Sequence, residues 1–367
     1  MKKLPQIERL VNCDAIGLDV HRELIVFCRM DRRGREAAKG EFEATKAGLS
    51  AFLAEHVGIK KSHVTLEASG SFLWAYEMLV AEIGLDRVHV AVSRQIAAIA
   101  KSTAKNDEND AWWLAWLTHE GRLPEVDVPG KDIQELRIAV RERIRAVQRR
   151  TKAAVQLRSH LASLGELLPT ASLATASAKE FVDGVLERSP KIRAMAMQRC
   201  LARMSEAEQE IAMWEEEMWR SAKKLPDVKT LQKHVPGVGK ILATTIVAEF
   251  ADIRRFAGPK AAGRYTGLTP ADRSSGGKMI HGKITREGSP FLRWALAQAV
   301  MHCLRSKRGA GLVVGDWTRA AQRRMGHKGK GRVAAARKLA EAIWRLFHNP
   351  EAFDITKPFG AHAEAVA

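Results

Sequence analysis

The chain has 367 residues, with 60 Lys+Arg against 42 Asp+Glu and a formal net charge of +18. That length allows two or three domains, each burying its own core, and 46% hydrophobic with 28% charged residues is a globular composition, not a disordered one. No apolar run approaches the roughly 18 residues of a membrane span, no apolar stretch follows the basic N-terminus as a secretory signal would require, and Cys13, Cys28, Cys200 and Cys303 are too scattered for a disulfide framework or zinc site, so a cytoplasmic location is expected.

Residues 1–110 carry 16 Lys+Arg and 16 Asp+Glu, a net of zero. Within them, AIGLDV (15–20) and ELIVFCRM (23–30) are β-rich apolar runs around a short turn, and REAAKGEFEA (35–44) is a weaker third strand. Thr45 reads as the N-cap of a helix carrying Leu49, Phe52 and Leu53. HVTLEAS (63–69) is a fourth strand, FLWAYEMLVAEIG (72–84) a helix and VHVAVS (88–93) a fifth strand; helical segments RQIAAIAKST (94–103) and NDAWWLAWLTHEG (109–121) follow. The order β-β-β-α-β-α-β-α predicts an RNase H-like or RuvC-like α/β core, with Trp112, Trp113 and Trp116 packed on its sheet rather than stacking on bases.

Four acidic residues stand out in that order. Asp19 ends the first strand, Glu67 ends the fourth, and Asp107 and Asp110 open a helix three residues apart, on one face. Carboxylates at strand ends and at a helix start can gather at one sheet edge, where hard oxygen ligands suit Mg²⁺ or Mn²⁺ and phosphodiester chemistry. Taken singly, each is as well explained as a turn or cap residue.

Past a Pro/Gly linker at 124–130, residues 131–164 predict one long helix with a narrow apolar stripe (Leu136, Val140, Ile144, Val147, Ala154, Leu161), and about 190–222 a second. The pair reads as a coiled-coil hairpin, equally suited to a bundle within one chain and to a dimerisation arm.

Residues 226–345 hold 24 Lys+Arg against 7 Asp+Glu, a net of +17, so the charge excess is concentrated where a phosphate backbone would be met. This mostly helical segment contains HVPGVGKILATTIVAEFADIRRF (234–256), of helix-hairpin-helix form; Gly237 and Gly239 expose backbone N–H groups ahead of the helix from Lys240, a way to hold phosphate without reading sequence. Next come Ser274 and Ser275, followed by two glycines and surrounded by Arg273, Lys278, Lys283, Arg286 and Arg293. Such a loop suits either phosphate binding or a serine nucleophile whose target phosphate is held by cations. HKGKGR (327–332) reads as a basic phosphate-contacting loop, and 349–367 as a weakly ordered tail.

Taken together, IGLDVHRELIVF, VTLEASGSF, AKNDENDAWWLA, PGVGKILATTIVAEF, YTGLTPADRSSGGK and GKITREGSPFLR resemble the DEDD-type insertion-sequence transposases. These form the insertion sequence one-ten family, with its pilin-gene invertase relatives and bridge-RNA-guided recombinases, and the resemblance covers about residues 14–122 and 228–306. It implies a RuvC-like DEDD nuclease domain (1–125) with Asp19, Glu67, Asp107 and Asp110 as a metal-binding tetrad, a helical coiled-coil region (126–225), and a basic transposase domain (226–348) supplying a nucleophile. That nucleophile is carried over to Ser275, with Ser274 as the competing choice. It further implies a dimer or tetramer with composite sites, a phosphoserine intermediate, and donor and target DNA chosen by a structured noncoding RNA. Two other readings of the residues are a RuvC-like nuclease that uses activated water and a non-enzymatic nucleic-acid-binding protein.

Overall fold

The computed structural model describes residues 13–56, 62–68, 70, 72–92, 107–170, 172–275 and 278–360, the side chains of 107–108 and 272–281 aside. The chain divides into two compact units, Met1–Val128 and Pro129–Ala367.

In the first unit, β1 (Asp14–Val20), β2 (Leu24–Met30), β3 (Glu36–Glu43), β4 (Ser62–Glu67) and β5 (Val88–Ala91) form one sheet in the order β3-β2-β1-β4-β5. The β1–β2 and β2–β3 pairs are antiparallel, whereas β1–β4 and β4–β5 are parallel. This mixed five-stranded sheet with helices is consistent with the RNase H-like core expected from the sequence. Helices α1 (Lys46–His56) and α2 (Phe72–Ile83) cover one face, where Leu49, Phe52 and Leu79 meet Ile16, Leu18, Ile25, Val64 and Leu66. Helix α3 (Asp107–His119) covers the other, setting Ala111 and Ala115 on Val26, Cys28 and Met30. Covering both faces explains why β1 is a nearly unbroken buried run, whereas the edge strand β3 is mostly exposed and gives only a weak sequence signal. The Thr45 hydroxyl accepts a hydrogen bond from Gly48 N at 3.0 Å, as an N-cap does. Trp112 and Trp116 stack on each other and pack against the same apolar cluster. The helix expected at 94–103 lies outside the described residues.

A chain of polar groups links β4 and β5 to the segment that follows α3. His63 Nδ1 is 2.8 Å from His89 Nε2, and His89 Nδ1 is 2.7 Å from Glu125 Oε1. Burial, and then the neighbouring His89, push His63 from the ordinary imidazole value of 6.5 down to about 4. Between those values the unfolded chain binds a proton that the folded chain refuses, so the stability due to neutral His63 is complete above about pH 6.5 and is lost as pH falls toward 4. Melting curves are expected to fall more steeply over that window for the wild type than for His63→Gln; identical slopes would remove His63 as the cause.

In the second unit, α4 (Lys131–Ser163) and α6 (Lys191–Ala222) run antiparallel, with α5 (Ala176–Arg188) between them in sequence. The direction follows from the cross-links: Arg143 pairs with Glu215, Arg149 with Glu210 and Arg150 with Glu208. Leu136, Val140 and Ile144 of the α4 stripe pack with Met218 at one end, and Leu157 and Leu161 with Met197 and Cys200 at the other. The stripe is therefore used within the chain. Helix α5 is an element not expected from the sequence; Thr175 caps it, and Val182 and Val185 bury against Leu157 and Leu161.

The basic segment folds as α7 (Pro226–His234), α8 (Lys240–Phe250), α9 (Pro259–Tyr265), the hairpin β6 (Pro270–Ser275) and β7 (Lys278–Ile284), α10 (Pro290–Arg305), α11 (Gly309–Arg324), α12 (Lys328–His348) and α13 (Thr356–Gly360). The hairpin interrupts this mostly helical segment, and PADRSS offers no apolar alternation to signal a strand. HKGKGR is not a loop: His327 Nδ1 accepts from Gly329 N and Lys330 N and so caps α12, whose first five residues are the rest of the motif. The stretch after 349 is likewise packed as far as 360, with Ile355 and Phe359 in the core and Phe359 edge-on to Trp317. The hairpin helices and the basic segment share this unit's interior. Arg141 grips the buried Glu249 carboxylate with bonds of 2.8 and 2.9 Å, and Arg137 donates to the carbonyls of Ala248 and Glu249. Among the described residues no helix is long and apolar enough to cross a membrane.

Candidate active site and nucleic-acid surface

Three local features of the first unit converge at one end of the sheet. First, β1 and β4 run parallel with Leu18 opposite Leu66, so Asp19 and Glu67 come one position later at the same end of neighbouring strands. Second, residues alternate between faces along a strand; because Leu18 and Leu66 belong to the α1/α2 core, Asp19 and Glu67 take the α3 side. Third, the direction of α3 is set by its contacts. Its last residue, His119, sits at the β2–β3 turn beside Gly34, at the opposite end of the sheet, while Ala111 lies over Gly17. One turn back from Ala111, the start of α3 with Asp107 and Asp110 extends toward the Asp19 end.

Close approach of α3 to β1 depends on Gly17. A Cβ there would come 2.1 Å from Ala111 O and 2.6 Å from Ala115 N. Asp19 is 5% exposed, and its Oδ2 lies 3.1 Å from His21 Nε2, a neighbour that sequence reasoning did not single out. Such a buried carboxylate is costly without a cationic partner, which suits a hard divalent ion as well as it suits His21. The Asp107 side chain lies outside the described residues, as do those of Arg273, Ser274, Ser275 and Lys278. Among the described residues no group of three His, Cys, Asp or Glu forms a metal-binding set.

In the second unit, the turn between α7 and α8 makes a hollow of about 470 Å³ whose lining includes Lys233, Gly237, Gly239 and His302. Gly237 has φ +74°, and a Cβ there would lie 2.4 Å from Ala299 O, so the turn needs glycine for close packing on α10. Gly239 is the N-cap of α8 and offers no side-chain acceptor to the first-turn N–H groups. Lys240 Nζ lies 3.8 Å from the centre of the Trp219 ring. At the hairpin, β6 ends on Ser275, which pairs with Lys278, the first residue of β7. Lys283 and Arg286 are exposed, whereas Arg293 donates to the carbonyls of Thr266 and Gly288 and thus braces the hairpin base. Burial, and then the nearby Arg286 charge, hold the Arg293 guanidinium below the ordinary arginine range.

The chain matches two transposase families, the DEDD family of IS110 type over residues 16–165 and the one described as "Transposase IS116/IS110/IS902 family" over 229–312. The chain belongs to the IS110/IS116/IS902 transposase family. It is 25% identical over 349 residues to the transposase for insertion sequence element IS1111A of Coxiella burnetii, covering 92% of this chain and 90% of that one. It is also 27% identical over 257 residues to the transposase for insertion sequence element IS1328 of Yersinia enterocolitica, covering 69% of this chain and 75% of the relative. As a member of this family the chain is a transposase, an enzyme that binds DNA and transfers phosphoryl groups within it. The DEDD match spans β1 through α4, so the strand ends and the helix start described above fall within that domain. A DEDD domain implies divalent-metal use.

Proposed function

We propose that this transposase cuts and rejoins DNA through a covalent phosphoserine intermediate, at sites chosen by pairing with a structured noncoding guide RNA. The observation that carries the reading is the buried Asp19 carboxylate beside Glu67 on parallel strand ends, under the helix that begins with Asp107. These carboxylates and Asp110 would hold Mg²⁺ or Mn²⁺, which supplies charge neutralisation at the phosphate and makes a hydroxyl easier to deprotonate.

The chain's own chemistry then centres on the hairpin serine. Ser275 Oγ loses its proton and attacks phosphorus; an Oγ–P bond forms, the P–O bond to one deoxyribose breaks, and the released sugar oxygen takes up a proton. A hydroxyl of the exchanged strand reverses these steps, freeing Ser275 and sealing the new junction. Lys283 and Arg286, exposed at the hairpin, offset charge on the phosphate, and the first-turn N–H groups of α8 behind Gly237 and Gly239 hold the backbone without reading sequence. Arg273 and Lys278, near the serines in sequence, would add positive charge for the same phosphate, and Arg293 braces the hairpin base. The reading also requires self-association into a dimer or tetramer in which carboxylates and serine meet at one phosphate.

The deciding experiment is plasmid excision with Ser275→Ala, alone and with Ser274→Ala, alongside a denaturing gel of protein and DNA. The expected result for the double variant is loss of excision together with loss of the protein–DNA adduct seen for the wild type. Undiminished recombination by the double variant would overturn the serine mechanism, and cleavage without any adduct would assign attack to water.

A further inference from the structure

A second hollow in the basic segment, of about 500 Å³, lies between the C-terminal half of α12 and the segment that follows it. Its size falls in the range of about 300–1,000 Å³ typical of small-ligand sites. Trp344, His348 and Phe353 supply aromatic surface, and Lys338, Arg345 and Lys357 supply positive charge. The aromatic part is held in place: Trp344 Nε1 donates to Phe256 O at 2.9 Å, and its ring stacks on His348 with centroids 3.7 Å apart. His348 Nδ1 in turn donates to Trp344 O, fixing an exposed imidazole as the outer layer of a two-ring platform.

Three cations, Lys338, Arg345 and Lys357, face two carboxylates around the hollow. Asp354, one of the two, accepts the Thr356 backbone N–H and hydroxyl at a single oxygen, Oδ1, at 2.8 and 2.7 Å, and also feels the Lys357 charge. The other, Glu341, lies 3.7 Å from Arg337 Nε. Arg345 and Lys357 are exposed and make no ion pair with another described residue. Lys338 is partly buried with its amine 4.6 Å from the Trp317 ring centre. Burial holds that amine below the ordinary lysine range; Glu341 opposes the shift, and weaker repulsion from Arg345, Arg324 and Arg337 adds to it. Cations crowded beside a rigid aromatic platform call for a ligand that is both anionic and flat.

We infer that this hollow takes one unpaired nucleotide of a single-stranded nucleic acid, its base against His348 and Trp344 and its phosphate between Arg345 and Lys357. The inference rests on the proposed function, which presents two sources of that chemistry, a displaced DNA strand and the guide RNA. A base inside a duplex has no free face to offer, so the hollow discriminates against paired DNA.

The test is fluorescence anisotropy of the full chain with a labelled single-stranded DNA, the same sequence as RNA, a duplex, and a single strand with an abasic site. His348→Ala is expected to weaken the better single strand by at least about fivefold, the low end of base–aromatic stacking, while leaving the duplex unchanged and losing its effect on the abasic strand. Arg345→Ala with Lys357→Ala is expected to weaken the same strand and to lower its salt slope by about 0.7 per lost phosphate contact. The larger loss on RNA assigns the site to the guide, and on DNA to the displaced strand. Variants that bind every probe as the wild type does, or that weaken duplex and single strand equally, overturn the pocket alone. A wild-type chain that binds none of the probes overturns the proposed function with it.

Discussion

Asp19→Asn is expected to abolish excision without unfolding the protein. The substitution keeps the size and shape of a side chain that is 5% exposed at the end of β1, but removes its charge. A bound metal supplies several kcal/mol of charge stabilisation in phosphoryl transfer, so losing one ligand corresponds to roughly 10³-fold in rate. Thermal melting distinguishes this from misfolding. Without divalent ions the variant should melt close to the wild type, since Asn keeps the side-chain shape and an oxygen acceptor beside His21. Adding Mg²⁺ or Mn²⁺ should raise the wild-type midpoint, because a ligand of the folded state stabilises it, and should raise the variant's much less. Wild-type excision by Asp19→Asn, or equal metal stabilisation of both proteins, would remove Asp19 from the metal-binding set.

Gly17→Ala is the second large effect, and it acts on fold and activity together. The added methyl would lie 2.1 Å from Ala111 O, 2.6 Å from Ala115 N and 2.7 Å from Leu114 Cβ. Two of these atoms are helix backbone, so no side-chain rotation relieves the clash and α3 must back away from β1. Overpacking of this kind costs about 1–3 kcal/mol or more, and Asp107 and Asp110 move with the helix. Urea denaturation is expected to show the loss of stability, and excision to fall further than the residual folded fraction explains. Gly40→Ala in β3 is the matched control: its methyl would meet only the Phe27 ring, at 3.2 Å, which can shift. Equal behaviour of the two variants would mean that the α3–β1 approach is not critical.

Much of the first unit was legible in sequence because its strands and helices carry their own periodicity. β1, β2 and β4 are buried apolar runs, Thr45 marks the start of α1, and Asp19 and Glu67 stand where those runs end. The chemical identity of the acidic residues and the concentration of charge beyond residue 226 are properties of composition and order, needing no contacts to be seen. The sequence also marked α4 and α6 as long helices, one bearing a narrow apolar stripe.

What the stripe packs against, the sequence left open; the antiparallel register of Arg143, Arg149 and Arg150 with Glu215, Glu210 and Glu208 decided it within the chain. Only tertiary structure turned α3 so that its first residues extend toward the Asp19 end of the sheet, since that direction rests on Gly17 and Gly34, far apart in sequence from Ala111 and His119. The β6–β7 hairpin, the capping role of His327 and the burial of Ile355 and Phe359 were likewise invisible locally. Periodicity tells which face of an element avoids water, but the partner for that face lies elsewhere in the chain and is chosen by shape and by long-range closure.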